Sequence, residues 1–337
     1  MRILFCTHVF APSVGGIEAV ARMLAEEFVR LGHQVELVTH TPGEDTRGAG
    51  YPIHRRPGAG RLLRLLRWSD ICFHNNISLR TVWPLLFVRR PWVVAHHVWI
   101  PRAGLAGRTK HLLLRRARGI APSRALANHV DTPATVVPNP FDDARFGLRD
   151  DVARDRDLVF VGRLVSDKGC DQLLDALGML KERALQPTLT VVGAGPELAA
   201  LQARSVRLGM AARIDFAGAL QGDALVAALN RHRVLVVPSR WEEPFGVVVL
   251  EGVACGCVVV GSDGGGLPEA MGPCGVAYQR GSTRALADAL ERVLRDEPLR
   301  RSLREAAPAH LAAHHRDAVA RRYLAVFDSA VRNDHGR

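Results

Sequence analysis

The chain has 337 residues, 47% apolar and 23% charged, with a formal net charge of +11. That length and apolar content supply two ordinary hydrophobic cores and exclude a disordered chain; no apolar run approaches the ~18 residues of a membrane-spanning helix. Residues 1–150 hold 21 Arg and Lys against 11 Asp and Glu, a net of +10, so the basic excess belongs to the first half. A basic face serves an anionic membrane, a phosphorylated acceptor or nucleic acid, while 42 Arg against 3 Lys fits genomic composition with solvated arginines equally well.

In chain order, Arg2-Ile-Leu-Phe-Cys-Thr-His8 reads as a strand entering a glycine loop; a histidine interrupts it as a signal peptide, and a cytoplasmic protein is expected. Gly15 and Gly16 follow, ahead of a helix at 17–31, where a missing side chain lets backbone approach a ligand closely. The Gly-x-Gly-x-x-Gly fingerprint is absent, which weighs against a nicotinamide enzyme. Arg61-Leu-Leu-Arg-Leu-Leu-Arg-Trp68 predicts a helix with a basic stripe, lying on an anionic membrane or packing its leucines into the core. Strands are expected at 2–8, 34–40, 70–74, 92–97 and 119–122. Their alternation with helical patterns predicts a parallel sheet covered by helices. His96 and His97 end the strand at 92–97, and period-2 alternation sends one of them to the ligand side, for which His97 is chosen.

The two prolines of Pro138-Asn-Pro-Phe-Asp142 end this half and mark a domain boundary. A second sheet is expected from strands at 158–162, 188–193, 213–218, 233–238 and 257–261. Ligands bind such sheets at the carboxyl ends of the strands, so two facing sheets define one cleft. Asp155-Arg-Asp157 has a metal-binding spacing but precedes its strand, away from those ends, and reads as a solvated turn. The six cysteines form no Cys-x2-Cys pattern and read as buried thiols, the close pair Cys255-Gly-Cys257 included.

Arg163 and Lys168 follow the strand at 158–162, in a loop at the carboxyl end of that strand where fixed cations suit an anionic ligand. In Ser239-Arg-Trp-Glu-Glu-Pro-Phe-Gly-Val-Val-Val-Leu-Glu251, Pro244 suits the first turn of a helix, and the backbone N–H groups of Phe245, Gly246 and Val247 are open to a ligand. Eight residues of helix rise ~12 Å, so Glu243 and Glu251 would touch different parts of one long ligand, unlike the close carboxylates of a glycosidase. Gly265, Gly266 and Glu269 form a supporting loop, and 316–330 carries Val319, Tyr323, Leu324 and Phe327 at helical spacing.

Glu243-x7-Glu251 within Glu-Pro-Phe-Gly…Glu-Gly resembles the signature of the family 4 retaining glycosyltransferases of the GT-B fold. Further matches lie in the family's order over most of the chain: Pro12-Ser-Val-Gly-Gly-Ile-Glu18, Val137-Pro-Asn-Pro-Phe-Asp142, Phe160-Val-Gly-Arg-Leu164 with Lys168-Gly169, Val192-Gly-Ala-Gly-Pro-Glu197 and Gly264-Gly-Gly-Leu-Pro-Glu269. The resemblance implies an α/β chain of two Rossmann-like, doubly wound parallel-sheet domains facing across a cleft. Residues 1–140 would bind the acceptor and 141–315 the nucleotide-sugar, with 316–337 a helix crossing back onto the first domain. It assigns Arg163 and Lys168 to the diphosphate, Glu251 to the ribose hydroxyls, Glu243 to the donor sugar and its oxocarbenium-like transition state, and His97 to the reaction centre.

The implied function is retaining transfer of a hexose from a UDP- or GDP-sugar to a glycan or lipid-linked acceptor. The nucleotide-sugar is a substrate, and no cofactor or metal is expected. Peripheral contact with anionic membrane is an open expectation, and nucleic acid is the disfavoured partner. Two other readings stay open: a GT-B nucleotide-sugar epimerase, and a non-catalytic basic protein that binds membrane or nucleic acid.

Overall fold

The computed structural model describes residues 1–13, 15–47 and 50–335; Val14, inside the first glycine motif, and residues 48–49 and 336–337 lie outside the described residues. The chain divides into two compact units, Met1–Pro140 with His315–Arg337 and Phe141–His314.

Unit 1 is built on β1 (Arg2–Thr7), β2 (Gln34–Thr39), β3 (Thr46–Arg47), β4 (Pro52–Arg55), β5 (Ile71–Asn75), β6 (Trp92–Ala95), β7 (Arg118–Ala121) and β8 (Ala134–Val136). They form one sheet in the order β3-β4-β2-β1-β5-β6-β7-β8, parallel except for the antiparallel β3–β4 pair. Unit 2 carries β9 (Arg156–Val161), β10 (Leu189–Val192), β11 (Ile214–Gly218), β12 (His232–Val237), β13 (Val258–Ser262) and β14 (Gly275–Tyr278). Their order is β11-β10-β9-β12-β13-β14, all parallel. Each unit is thus a doubly wound α/β domain, as the sequence pattern implies.

The continuous apolar runs of unit 2 follow from helices covering both faces of its sheet. Leu158 and Phe160 of β9, Val234 and Val236 of β12, and Val258 and Val260 of β13 enter one core. The intervening Val159, Leu235 and Val259 enter the other. Each fully buried Val or Leu contributes about 1.5–3 kcal/mol of transfer free energy, so the pattern fixes the register of the strands that carry the site.

Helix Arg316–His335 packs on helix Gly16–Arg30 within unit 1. Tyr323 and Phe327 are fully buried, with the Phe327 ring 5.4 Å from that of Phe28 and 5.0 Å from that of Phe73. The terminal helix therefore completes the core of the first unit. Helix Ala59–Trp68 buries Leu62 and Leu66 in that unit and leaves Arg61, Arg64 and Arg67 exposed. Leu62 and Leu66 thus take the core arrangement, while Leu63, Leu65 and Trp68 stay half-buried.

In each sheet the strand order reverses once, between β1 and β5 in unit 1 and between β9 and β12 in unit 2. Loops leaving the carboxyl ends of strands on either side of such a point diverge and open a crevice.

Candidate active site

In unit 2 the loops after β9 and β12 hold most of the residues singled out by sequence. After β9 the chain passes Arg163, whose exposed guanidinium has no carboxylate partner among the described residues, and enters a 3-10 turn at Ser166–Lys168. After β12, residues 238–246 form a loop, and helix Val247–Ala254 starts behind Gly246. The two loops are tied together. Lys168 Nζ lies 2.5 Å from Glu243 Oε1, Ser239 Oγ donates to the same oxygen at 2.7 Å, and Arg240 N donates to Asp167 O at 2.9 Å. Ser239 is held in turn by Ser262 Oγ, which donates to its carbonyl at 2.8 Å. Neither Ser239 nor Ser262 stands out by residue type; the one signal in the sequence is that Ser239 opens the segment ending at Glu251.

The helix begins later than Pro244 suggests. Gly246 sits at φ +104, a left-handed position where a Cβ would also meet Leu267 Cδ2 at 2.6 Å, so Pro244 lies in the loop and the first helical residue is Val247. Only four residues separate that start from Glu251, and the ~12 Å helical rise between the two glutamates does not apply. The amides of Phe245, Gly246 and Val247 donate to no protein acceptor among the described residues. They are oriented donors at a helix start, where an anion is favoured. The Phe245 side chain is itself buried and anchors the loop.

Gly265 and Gly266 stand closer to the site than a remote supporting loop. Gly266 N donates to Glu243 O at 2.7 Å, and Gly265, at φ +62, lies where a Cβ would be 2.2 Å from that carbonyl oxygen. Glu269 lies in the first turn of the short helix Leu267–Met271 behind them. Glu251 is half-buried on its helix without a protein hydrogen bond to its carboxylate among the described residues. Burial, and then the charge of Asp142, push that carboxyl up to about 7.

In unit 1, Gly15 precedes and Gly16 opens helix Gly16–Arg30, both exposed. A Cβ on Gly15 would meet only the flexible Glu18 carboxylate, at 2.6 Å, and one on Gly16 nothing. Strand β6 ends at Ala95, two residues short of the expected 92–97, so alternation does not separate the histidines: His96 and His97 are both buried. His97 N donates to Asn76 Oδ1 at 2.7 Å. Burial lowers His97 to about 4, opposed by the Asn139 side chain, and His96 to about 3. Both rings are therefore neutral at pH 7.

The side chains with metal-ligand proximity among the described residues are Cys6, Cys72 and His74. His74 spends both ring nitrogens, accepting from Trp92 Nε1 at 3.0 Å and lying 3.0 Å from Thr81 Oγ1, which suits a packed core better than a ligand set. Asp155 is paired with Arg231, and Asp157 with Arg233, at the amino end of β9. Cys255 and Cys257 are buried free thiols, raised to about 12 by burial.

Residues 149–310 match the family model of glycosyl transferases group 1, and residues 14–145 that of glycosyltransferase family 4. The GDP-mannose-dependent alpha-(1-6)-phosphatidylinositol monomannoside mannosyltransferase of Mycolicibacterium smegmatis is 30% identical over 349 residues, covering 87% of this chain and 89% of that protein. The chain belongs to the family 4, group 1 glycosyltransferases. The glycogen synthase of Mycobacterium tuberculosis is 39% identical over 168 residues, 48% of this chain, and the match spans only 40% of that enzyme's length. The Anabaena protein HepE, solved in complex with UDP, shares the fold with a TM-score of 0.81 at 20% identity, covering 98% of this chain and 100% of that one. The GT-B architecture of this glycosyltransferase is therefore the one its motifs imply.

Proposed function

We propose that this glycosyltransferase moves a hexose from a UDP- or GDP-sugar to a glycan or lipid-linked acceptor, with retention and without a metal. Unit 2 binds the donor and unit 1 the acceptor. The carrying observation is the Lys168–Glu243–Ser239 cluster at the switch between β9 and β12. Arg163 and the open amides of Phe245, Gly246 and Val247 lie on the same two loops. A leaving nucleoside diphosphate gathers negative charge as the anomeric C–O bond breaks, and fixed cations with oriented N–H groups stabilise that charge without reorganising. Arg163 and Lys168 take the place a divalent cation would fill. Glu243, released from Lys168 by the phosphates, holds sugar hydroxyls and stabilises positive charge on the ring. Glu251 accepts from the ribose hydroxyls, which an ionised carboxylate does twice over.

Retention follows if the acceptor hydroxyl attacks the face the phosphate leaves. The acceptor oxygen bonds to the anomeric carbon, the phosphate departs with the electron pair of the broken bond, and the acceptor proton passes to it. The donor classes are supported by the GDP-mannose in the name of the Mycolicibacterium relative and the UDP bound to HepE. The test is nucleotide release from UDP- and GDP-hexoses, with the product anomer read by NMR. Arg163→Ala and Glu243→Gln are each expected to lower kcat/KM at least ~100-fold. Full activity in both folded variants overturns the assignment, an inverted product overturns retention, and an isomerised sugar without acceptor points to an epimerase.

A further inference from the structure

The carboxyl end of the first sheet gathers positive charge from neighbouring strands. β4, β2, β1 and β5 lie side by side in that order. Arg56 follows β4, His40 follows β2, His8 follows β1, and Arg80 lies in the short helix Leu79–Val82 beyond β5. Backbone bonds stitch these segments together: His40 N donates to His8 O at 3.2 Å, and Arg56 N to Thr39 O at 2.8 Å. The His8 and His40 rings are 5.7 Å apart, and Arg56 Nε donates to His40 O at 3.0 Å. Arg56 keeps this place at φ +50, a left-handed conformation that a non-glycine residue adopts at a cost.

What the arrangement lacks is an acid. Burial, and then the charges of His8, Arg80 and Arg56, lower His40 below its ordinary value, and no carboxylate among the described residues opposes them. His40 Nε2 is buried without a hydrogen-bond partner among the described residues. Elsewhere in the unit Arg2 sits on Asp70, Arg61 on Asp45 and Arg102 on Asp131. Like charges brought together without a counter-ion repel, and a buried polar atom left unpaired adds a further cost. A bound anion removes both penalties.

We propose that the acceptor is phosphorylated and that His8, His40, Arg56 and Arg80 hold its phosphate at this end of unit 1. This rests on unit 1 being the acceptor domain and names the class of acceptor it takes. A phosphate ester brings a charge of about −1.5 to −2 and three acceptor oxygens, enough to engage both guanidiniums and the rings. A carboxylate, with a single charge and two oxygens, leaves part of the cluster unmatched. Gly15, Gly16 and His97 lie at the same end of the sheet, beside the crevice between β1 and β5, so an acceptor anchored by its phosphate is held where ligands of such sheets bind.

The test first saturates the full chain with UDP or GDP, which fills the phosphate positions of unit 2, and then titrates inorganic phosphate by calorimetry. The nucleotide-saturated chain is expected to bind phosphate, and Arg56→Asn and Arg80→Ala each to weaken that binding roughly ten-fold or more with nucleotide affinity unchanged. Asparagine tolerates the φ of Arg56, both side chains are exposed, and an unchanged melting temperature checks folding. Nucleotide release from UDP- and GDP-hexoses is then compared for neutral sugars and polyols, their phosphomonoesters, their glycerophosphodiesters and uronic acids. Phosphorylated acceptors should exceed their neutral parents at least ten-fold, the monoesters leading if the natural acceptor is a soluble sugar phosphate and the diesters if it is a lipid headgroup. Nucleotide binding without phosphate binding overturns this proposal and leaves the donor reading standing, whereas failure of the nucleotide step contradicts that reading. Phosphate binding that both variants retain, or uronic acids used better than phosphate esters, also overturns it.

Discussion

Burial and the charge of Asp142 hold the Glu251 carboxyl at about 7, above its ordinary 4.5, so this residue taxes the empty site as it ionises. Between those two values the folded chain binds more protons than the unfolded one, and stability falls as pH rises through that window. Glu251→Gln removes the charge without changing shape. Its stability relative to the unaltered chain is expected to improve by about 2 kcal/mol between pH 5 and pH 8, read by denaturant unfolding at both pH values. Nucleotide affinity should move the other way. If the ionised carboxylate receives the ribose hydroxyls, affinity rises with pH up to about 7, and in the Gln variant it is weaker and flat with pH, which calorimetry at pH 5.5, 6.5 and 7.5 would show.

At the scale of elements, the site depends on two loops held in contact with a third. Gly265→Ala places a methyl 2.2 Å from Glu243 O at a left-handed φ, so the loop after β13 must retreat and the Gly266–Glu243 hydrogen bond lengthens. We expect about 1–3 kcal/mol of lost stability and a fall in kcat larger than the change in nucleotide affinity, measured by unfolding and steady-state kinetics. The apolar strands β1, β9, β12 and β13 were legible because each is a run of Val, Leu, Ile or Phe with helical pattern on either side. Strands β4 and β14 were not. Pro52-Ile-His-Arg55 and Gly275-Val-Ala-Tyr278 are short and carry breakers, and only pairing with β2 and β13 makes them strands. The same applies to the site. Residue types and order pointed to Arg163, Lys168, Glu243 and Glu251, but their contacts depend on Gly246 at φ +104 and on the end of β6 at Ala95, tertiary facts that Pro244 and a run of apolar residues do not encode. Sequence marked the basic half, while the gathering of His8, His40, Arg56 and Arg80 depends on the strand order β4-β2-β1-β5.

For the molecule as a whole, the terminal helix belongs to the first unit although it follows the second. Phe327→Ala removes a fully buried ring from the cluster with Phe28, Phe73 and Tyr323. The loss is expected to be about 3–5 kcal/mol and to fall on unit 1, so two unfolding transitions should separate, with the nucleotide-stabilised one little changed. On the proposed function, unit 2 binds a nucleoside diphosphate through Arg163, Lys168 and open amides in place of a metal. The most direct test is a thermal shift of the full chain with UDP, GDP and ADP, with and without EDTA, repeated on Arg163→Ala. The expected result is a rise with UDP or GDP that EDTA leaves unchanged and that Arg163→Ala abolishes. No rise with any nucleotide, or one that EDTA removes, would contradict it.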